Sequence, residues 1–368
     1  MGLERIVVKI GTSTLTGGGR RISRPRLLEI VQQAAKLHQA GHEIVLVTSG
    51  AVAAGRERLG FPDFGRSLPA KQMLSAVGQG RLMQLYGELF DIYEIVCAQV
   101  LLTREDINDR PRFLNARDTL LTLIDRRIIP IINENDTTAT HEIRVGDNDN
   151  LSALVATLIE ADRLIILTDQ DGLFTADPRT SPTARLIERV NKIDDALFAL
   201  AGGTEKDGVG TGGMVTKLQA AQLATRGGIT TIVASGREPN ILERLIDGQS
   251  LGTLFEPVQT QVESRKRWLM MDKTRGKLFI DEGAVEVLTI GGASLLPVGI
   301  KSVEGEFERG STLSVMAPDG HPVAQGMTSY NSEDVRRLCG VRSARIFELL
   351  GYSYGDAIIH RNNMVLLK

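Results

Sequence analysis

A lysine stands inside an apolar run near the start of the chain, in VVKIGTSTLTGGG, where Lys9 is followed closely by Gly11, Thr12 and Ser13. A charge is out of place in a strand buried on both faces unless it has a partner or a ligand. The small residues after it let backbone N–H groups approach a phosphate, and the lysine adds a point charge. An ordinary strand-to-helix turn with a snorkelling lysine is the other reading of the same residues. A second small-residue cradle opens in VTSGAVAAG, with Ser49 and Gly50 at the tip of an apolar run.

Further on, IIPIINEND and VGDNDNLSALVATL bring Asn133, Glu134, Asp136, Asp147, Asn148 and Asp149 close together in sequence. Turn chemistry accounts for two or three such side chains, and Asp149 or Asn150 could cap a helix starting at Leu151. The remainder point to a polar ligand or a metal. LTDQDGLFTADPR sets Thr168 and Asp169 at another strand tip, and GVGTGGMVTKLQAAQLA places four glycines before a helix with Lys217 in its first turns. A glycine-rich loop feeding a helix N-terminus suits an anion. Gly208 to Gly213 formally matches GxGxxG, but no strand immediately precedes it and no acidic residue follows on a second strand about twenty positions later, so a dinucleotide site is disfavoured. No GxxxxGK[ST] loop and no HRD catalytic loop occur, so phosphate would have to be handled without either device.

These segments need a scaffold that gathers strand tips. Residues 1 to about 258 alternate short β-branched runs with helical periodicity, the pattern of a mainly parallel sheet between helices. Expected strands are Ile6 to Ile10, Ile44 to Val47, Ile95 to Leu102, Ile128 to Ile132, Leu164 to Leu167 and Thr230 to Ala234. In such a sheet ligands bind at the carboxyl ends of strands. Between the first two, SRPRLLEIVQQAAKLHQAG predicts a helix with Ser23 as N-cap, Pro25 in the first turn and Gly41 as the stop. Residues 259–275 are polar and locally basic, with Arg265, Lys266 and Arg267 in a row, and are expected to be a linker with a solvated face. From 276 to 368 short alternating segments are separated by Gly, Pro and Asp turns, predicting a small β-barrel or sandwich.

The 368 residues suit two domains, and 42% apolar with 24% charged residues excludes a disordered or fibrous chain. Lys and Arg number 43 against 45 Asp and Glu, so no global field attracts nucleic acid or an acidic membrane. The two cysteines, Cys97 and Cys339, have no companion at metal or disulfide spacing. With no secretory signal pattern and no long apolar stretch, a cytoplasmic location without membrane contact is expected.

Taken in order, VVKIGTS, VTSGAVAAGR, KQMLSAVGQ, FLNARDTL, NENDTTAT, VGDNDNLSALVA, LTDQDGLFTADPR and GTGGMVTKLQAA resemble the amino-acid kinase superfamily, and within it the branch acting on glutamate. The β module from about Gly276 to about Tyr354 resembles a PUA domain, so the likeness covers essentially the whole chain. Thr138 departs from the pattern, standing where an apolar residue is expected. The resemblance implies an amino-acid kinase catalytic domain over 1–258, and ATP-dependent phosphorylation of the γ-carboxylate of L-glutamate, the first step of proline biosynthesis.

Lys9 and Lys217 would be catalytic, and Asp149 would hold the two lysines apart. Ser49, Asp136 and Asn148 would bind glutamate, with Asp136 receiving its amino group. Lys9, Thr168, Asp169, Thr211, Gly212, Gly213, Met214, Val215, Thr216 and Lys217 would bind ATP. Mg2+ would be held mainly by ATP phosphates. Proline as feedback inhibitor and a homo-oligomer, dimer or tetramer, also follow from the resemblance. Sister kinases of aspartate, N-acetylglutamate or a nucleotide are the nearest alternatives. RNA binding, suggested by the PUA-like module, is not expected, because that module holds 11 acidic against 9 basic residues.

Overall fold

Short runs that are apolar at nearly every position cannot lie on a surface, and here they become strands covered on both faces. The computed structural model describes residues 2–65, 67–138, 148–202, 213–261, 263, 269–270 and 272–367. Strands β1 (Arg5–Ile10), β2 (Glu43–Thr48), β3 (Cys97–Leu102), β4 (Ile129–Glu134), β5 (Arg163–Thr168), β6 (Arg189–Val190), β7 (Thr230–Ser235) and β8 (Thr253–Phe255) form one sheet in the order β3-β4-β2-β1-β5-β7-β8-β6. The first six in that order are mutually parallel, and β8 turns antiparallel to β7.

Two apolar cores flank the sheet. Ile6, Val8 and Ile10 of β1 face one, which includes Leu27, Leu82 and Leu242; Val7 faces the other, which includes Leu120, Leu151 and Leu218. Side chains alternate along a strand, so Lys9 shares the face of Val7. That face carries helices α7 (Asn148–Leu158) and α9 (Met214–Arg226). The other is covered by α2 (Arg24–Gln39), α4 (Leu68–Asp91) and α10 (Ile241–Ile246).

Register brings the functional tips level. Ile10 lies opposite both Thr48 and Leu167, and Val47 opposite Ile132. Gly11, Ser49 and Thr168 therefore stand in one row, with Asn133 of β4 one position lower, level with Thr48.

Several boundaries differ from the sequence reading. β3 starts at Cys97 and not Ile95, and β4 runs on through Asn133 and Glu134 because Leu101 and Leu102 of β3 continue to pair with them. The helix expected from Leu151 starts at Asn148, so Asn148 and Asp149 belong to its first turn. Ser23 occupies the N-cap of α2 without a side-chain cap bond, its backbone serving instead: its N–H donates to the Leu15 carbonyl and its own carbonyl accepts from Leu27. The two-residue β6 and three-residue β8 were not anticipated, being too short for any periodicity.

The chain divides into two compact units, Met1–Gln261 and Val262–Lys368. The second holds a five-stranded sheet, β9 (Gly276–Ile280), β10 (Ile300–Glu304), β11 (Thr312–Met316), β12 (Pro322–Met327) and β13 (Met364–Leu366), in the order β10-β9-β11-β12-β13. β13 pairs with β12, so the last residues described are part of this sheet. Glu282–Thr289 is a helix within the stretch read as β, capped by Asp281, which accepts from Ala284 N–H at 2.9 Å. Of the stretch expected as a linker, Leu269 is buried, and the Gln325 side chain donates to its carbonyl and to that of Asp272. Arg265, Lys266 and Arg267 lie outside the described residues.

Candidate active site

A cleft of about 780 Å3 opens at the row of strand tips. Along its floor lie Lys9, Gly11, Ser49, Asn133 and Thr168, with Lys217 on the α9 side. Six positions from the tips of four neighbouring strands and from one helix thus meet in one space, although they come from opposite ends of a stretch longer than 200 residues.

At the centre three charges interlock. Lys9 Nζ lies 2.6 Å from Asp149 Oδ1 and Lys217 Nζ 3.4 Å from Asp149 Oδ2. Thr216, one residue before the lysine on α9, donates its hydroxyl to Oδ2 at 2.7 Å. Lys9, Asp149 and Lys217 are 6%, 1% and 5% exposed, and only the two lysines line the cleft. One carboxylate thus spaces two ammonium groups and stands behind them. Burial pushes the Asp149 carboxyl up, but the fields of Lys9 and Lys217 and the hydrogen bonds from Lys9 and Thr216 outweigh it and hold it below the usual range. Burial lowers the Lys217 ammonium, and repulsion from Lys9 adds to that, while Asp149 opposes both.

On the β2 and β4 side an amide network is built from side chains. Asn148 Nδ2 has three acceptors at 3.0 Å: the Thr48 carbonyl, Ser49 Oγ and Asn133 Oδ1. Asn133 donates in turn to Gln79 Oε1 at 2.8 Å, and Gln79 to Gln99 at 3.1 Å. Asn148 Oδ1 is buried with no protein partner among the described residues, an acceptor left for a ligand. Asp136 follows in the turn after β4, where its carboxylate accepts a short hydrogen bond from Ser75 on α4. Burial raises the Asp136 carboxyl, only partly offset by Ser75.

The helix α3 (Ala51–Arg58) starts in the cleft. Gly50 precedes it at φ 101°, and a Cβ there would come within 2.9 Å of Leu15 Cδ1, so the turn requires glycine. No side chain caps α3, and Ala51, Val52 and Ala53 line the cleft, so its N-terminal amides and dipole are available to an anion. α3 lies against α4 at backbone contact: a Cβ on Gly78 would stand 1.8 Å from the Ala51 carbonyl oxygen, and one on Gly55 would stand 1.9 Å from that of Leu74.

On the β1 and β5 side, Gly11, Thr12 and Ser13 line the cleft together with Thr168 and Asp169, whose side chains bond each other at 3.1 Å. α9 begins after Gly213 with no side-chain cap, and Met214, Val215 and Thr216 form its first turn. Of the described part of that run only Lys217 lines the cleft. Thr211 and Gly212, with Gly208, Gly210 and Asp147, lie outside the described residues.

All six described residues expected at the glutamate and catalytic positions, Lys9, Ser49, Asp136, Asn148, Asp149 and Lys217, fall in or directly behind this cleft. Ser75 and Gln79 fall inside the run KQMLSAVGQ but were given no role, and Gln99 on β3 was not singled out. A serine or glutamine carries no signal of its own until the partner element is in place. Arg20, Arg56, Phe61, Pro62 and Lys71 also line the cleft; Arg56 and Lys71 fall within the runs VTSGAVAAGR and KQMLSAVGQ but were given no role from sequence.

Among the described residues no group of three or more His, Cys, Asp or Glu could hold a metal. The oxygen donors Thr168 and Asp169 suit a hard cation carried in by phosphate better than a resident ion.

The chain matches the family model described as amino acid kinase family over residues 4–235, and the PUA domain model over 276–350. A protein named glutamate 5-kinase from Herpetosiphon aurantiacus is 55% identical over 362 residues, 98% of each chain. Proteins of the same name from Enterobacter sp. strain 638 and Escherichia coli O1:K1 are 54% and 53% identical, covering 99% and 98% of each chain. Among solved structures, a UMP kinase from Bacillus anthracis covers 70% of this chain and 97% of its own, with 16% identity and a TM-score of 0.48.

Proposed function

From the premise that the chain belongs to the amino acid kinase family, we propose an assignment of its cleft to the two ends of one reaction. The activity is that of its glutamate 5-kinase relatives: ATP-dependent phosphorylation of the γ-carboxylate of L-glutamate, which opens proline synthesis. The observation that carries the assignment is Asp149 dividing its two oxygens between Lys9 and Lys217 at the meeting point of four strand tips.

A carboxylate with a reference pKa near 4.3 is already ionised at pH 7, so the nucleophile needs no general base. What remains is bringing two anions together, and that is a task of position and charge. Lys9 and Lys217 meet the transferring phosphoryl group from two sides, and Asp149 keeps them apart and charged. Glutamate takes the β2 and β4 end: Asp136 receives its ammonium group, and Ser49, Asn148 and the α3 N-terminus receive its oxygens. ATP takes the β1 and β5 end, with Gly11 to Ser13, Thr168, Asp169 and the loop from Thr211 to Lys217 around its phosphates. Mg2+ would be held mainly by the ATP phosphates, with Asp169 placed to add an oxygen ligand, and would supply neutralisation of phosphate charge.

The experiment is a split of Michaelis constants. Asp136→Asn and Ser49→Ala raise KM for glutamate with KM for ATP near normal, and Asp169→Asn does the reverse. Joint changes of both constants in every variant overturn the two-ended assignment.

Among the described residues no helix is long and apolar enough to cross a membrane. A cytoplasmic location, a dimer or tetramer, and proline competing in the glutamate pocket complete the reading. Light scattering and inhibition competitive with glutamate test the last two. RNA is not among the proposed partners, and a salt-sensitive gel shift with tRNA would contradict that.

A further inference from the structure

Asp136 has a partner on its far side that the reaction above does not use. The hydroxyl of Ser75 donates to its Oδ2 across 61 positions of sequence. Ser75 is buried in the middle of α4 and does not line the cleft, whereas Asp136 does. Among the described residues no other side chain bonds this carboxylate. A mid-helix serine ordinarily turns its hydroxyl back to the carbonyl one turn earlier or out to water. Here it leaves its helix for a carboxylate on another element. The helix itself cannot slide, since Leu74, the residue before, touches Gly55 of α3 backbone to backbone, as does Gly78 with Ala51.

We propose that Ser75 is a positioning residue for substrate recognition: by occupying one oxygen of Asp136 it fixes the carboxylate so that the other meets the ammonium group of glutamate. The inference rests on the assignment of Asp136 made above. A fixed carboxylate attracts an amino acid and repels a plain dicarboxylate, so the Ser75 hydroxyl makes the site read the free amino group. Without it Asp136 turns away, and the two ligands are told apart less well.

The test uses the full-length enzyme, Ser75→Ala, Asp136→Asn and the double variant. Glutarate, which lacks the amino group, serves as an inhibitor competing with glutamate. Ser75→Ala should raise KM for glutamate roughly tenfold, the scale of one charge-assisted hydrogen bond, with kcat and KM for ATP nearly unchanged. The inhibition constant of glutarate should stay the same or fall. In the Asp136→Asn background Ser75→Ala should add nothing, since there is no charge left to aim. Equal weakening of glutamate and glutarate, or a full Ser75 effect without the Asp136 charge, overturns the inference and leaves Ser75 a packing residue. An unchanged KM for glutamate in Asp136→Asn overturns the assignment beneath it as well. If Ser75→Ala fails to fold, Ser75→Cys keeps the volume with only a weak donor and should give the same pattern.

Discussion

Replacing Asp149 with asparagine keeps the shape of the side chain and removes its charge. Asp149 neutralises Lys9 at 2.6 Å and Lys217 at 3.4 Å, all three groups being buried. At an effective dielectric constant of about 20, the two pairs attract by about 6 and about 5 kcal/mol before desolvation is charged against them. Removing one member of a buried ion pair costs about 3–5 kcal/mol net, because the partner is left uncompensated. Here two partners are left. For a unit of this size the loss corresponds to a fall of roughly 10 °C in melting temperature. The penalty is greatest at neutral pH. Lys217 already has a lowered value and loses its main support, so it sheds its proton as pH rises, and the destabilisation shrinks toward the ordinary lysine value of 10.5. Turnover should fall about a hundredfold to a thousandfold, since the lysines lose the group that aims them. Thermal unfolding followed across pH, together with kcat at saturating glutamate and ATP, measures both effects. A variant with parental melting temperature and kcat within about threefold of the parent would refute the argument.

Lys217→Ala should abolish turnover with the fold intact, a loss of at least about a hundredfold by coupled ADP release, and circular dichroism should match the parent. Burial and Lys9 lower the Lys217 ammonium, so kcat should decline on the alkaline side before pH 10.5. In Lys217→Arg that limb should move up, because guanidinium keeps its proton. Burial raises the Asp136 carboxyl, so as pH is lowered kcat/KM for glutamate should begin to fall at a higher pH than an ordinary aspartate would give. Asp136→Asn should remove that contribution to the acid limb. Gly78→Ala puts a Cβ 1.8 Å from the Ala51 carbonyl oxygen and should cost at least about 1–3 kcal/mol in urea unfolding, with a weakened KM for glutamate as α3 shifts.

Much of this arrangement is legible in the chain itself. A lysine in an otherwise buried strand marks Lys9, because nothing in packing explains it there. Glycines before α9 and at Gly50 mark helix starts that no side chain caps, the kind of start that suits an anion. What the sequence withholds is pairing. From its residues alone Asp149 reads equally well as a helix cap; the resemblance implied that it holds the two lysines apart, and the register of α7 against β1 and α9 sets it between the two ammonium groups. Ser75, Gln79 and Gln99 look like routine polar residues because their partners lie on other elements. The Gly55 and Gly78 contact is equally silent, since close helix approach needs both glycines and each alone reads as a weak point in a helix. β6 and β8 have too few residues to carry a period.

The central claim is that this cleft makes an acyl phosphate on glutamate. Incubating the enzyme with ATP, Mg2+ and hydroxylamine, and offering L-glutamate, L-aspartate and N-acetyl-L-glutamate in turn, traps that product as a hydroxamate. The account predicts hydroxamate from glutamate alone. Hydroxamate from aspartate or N-acetylglutamate in place of glutamate, or none from any of the three with folded enzyme, would contradict it.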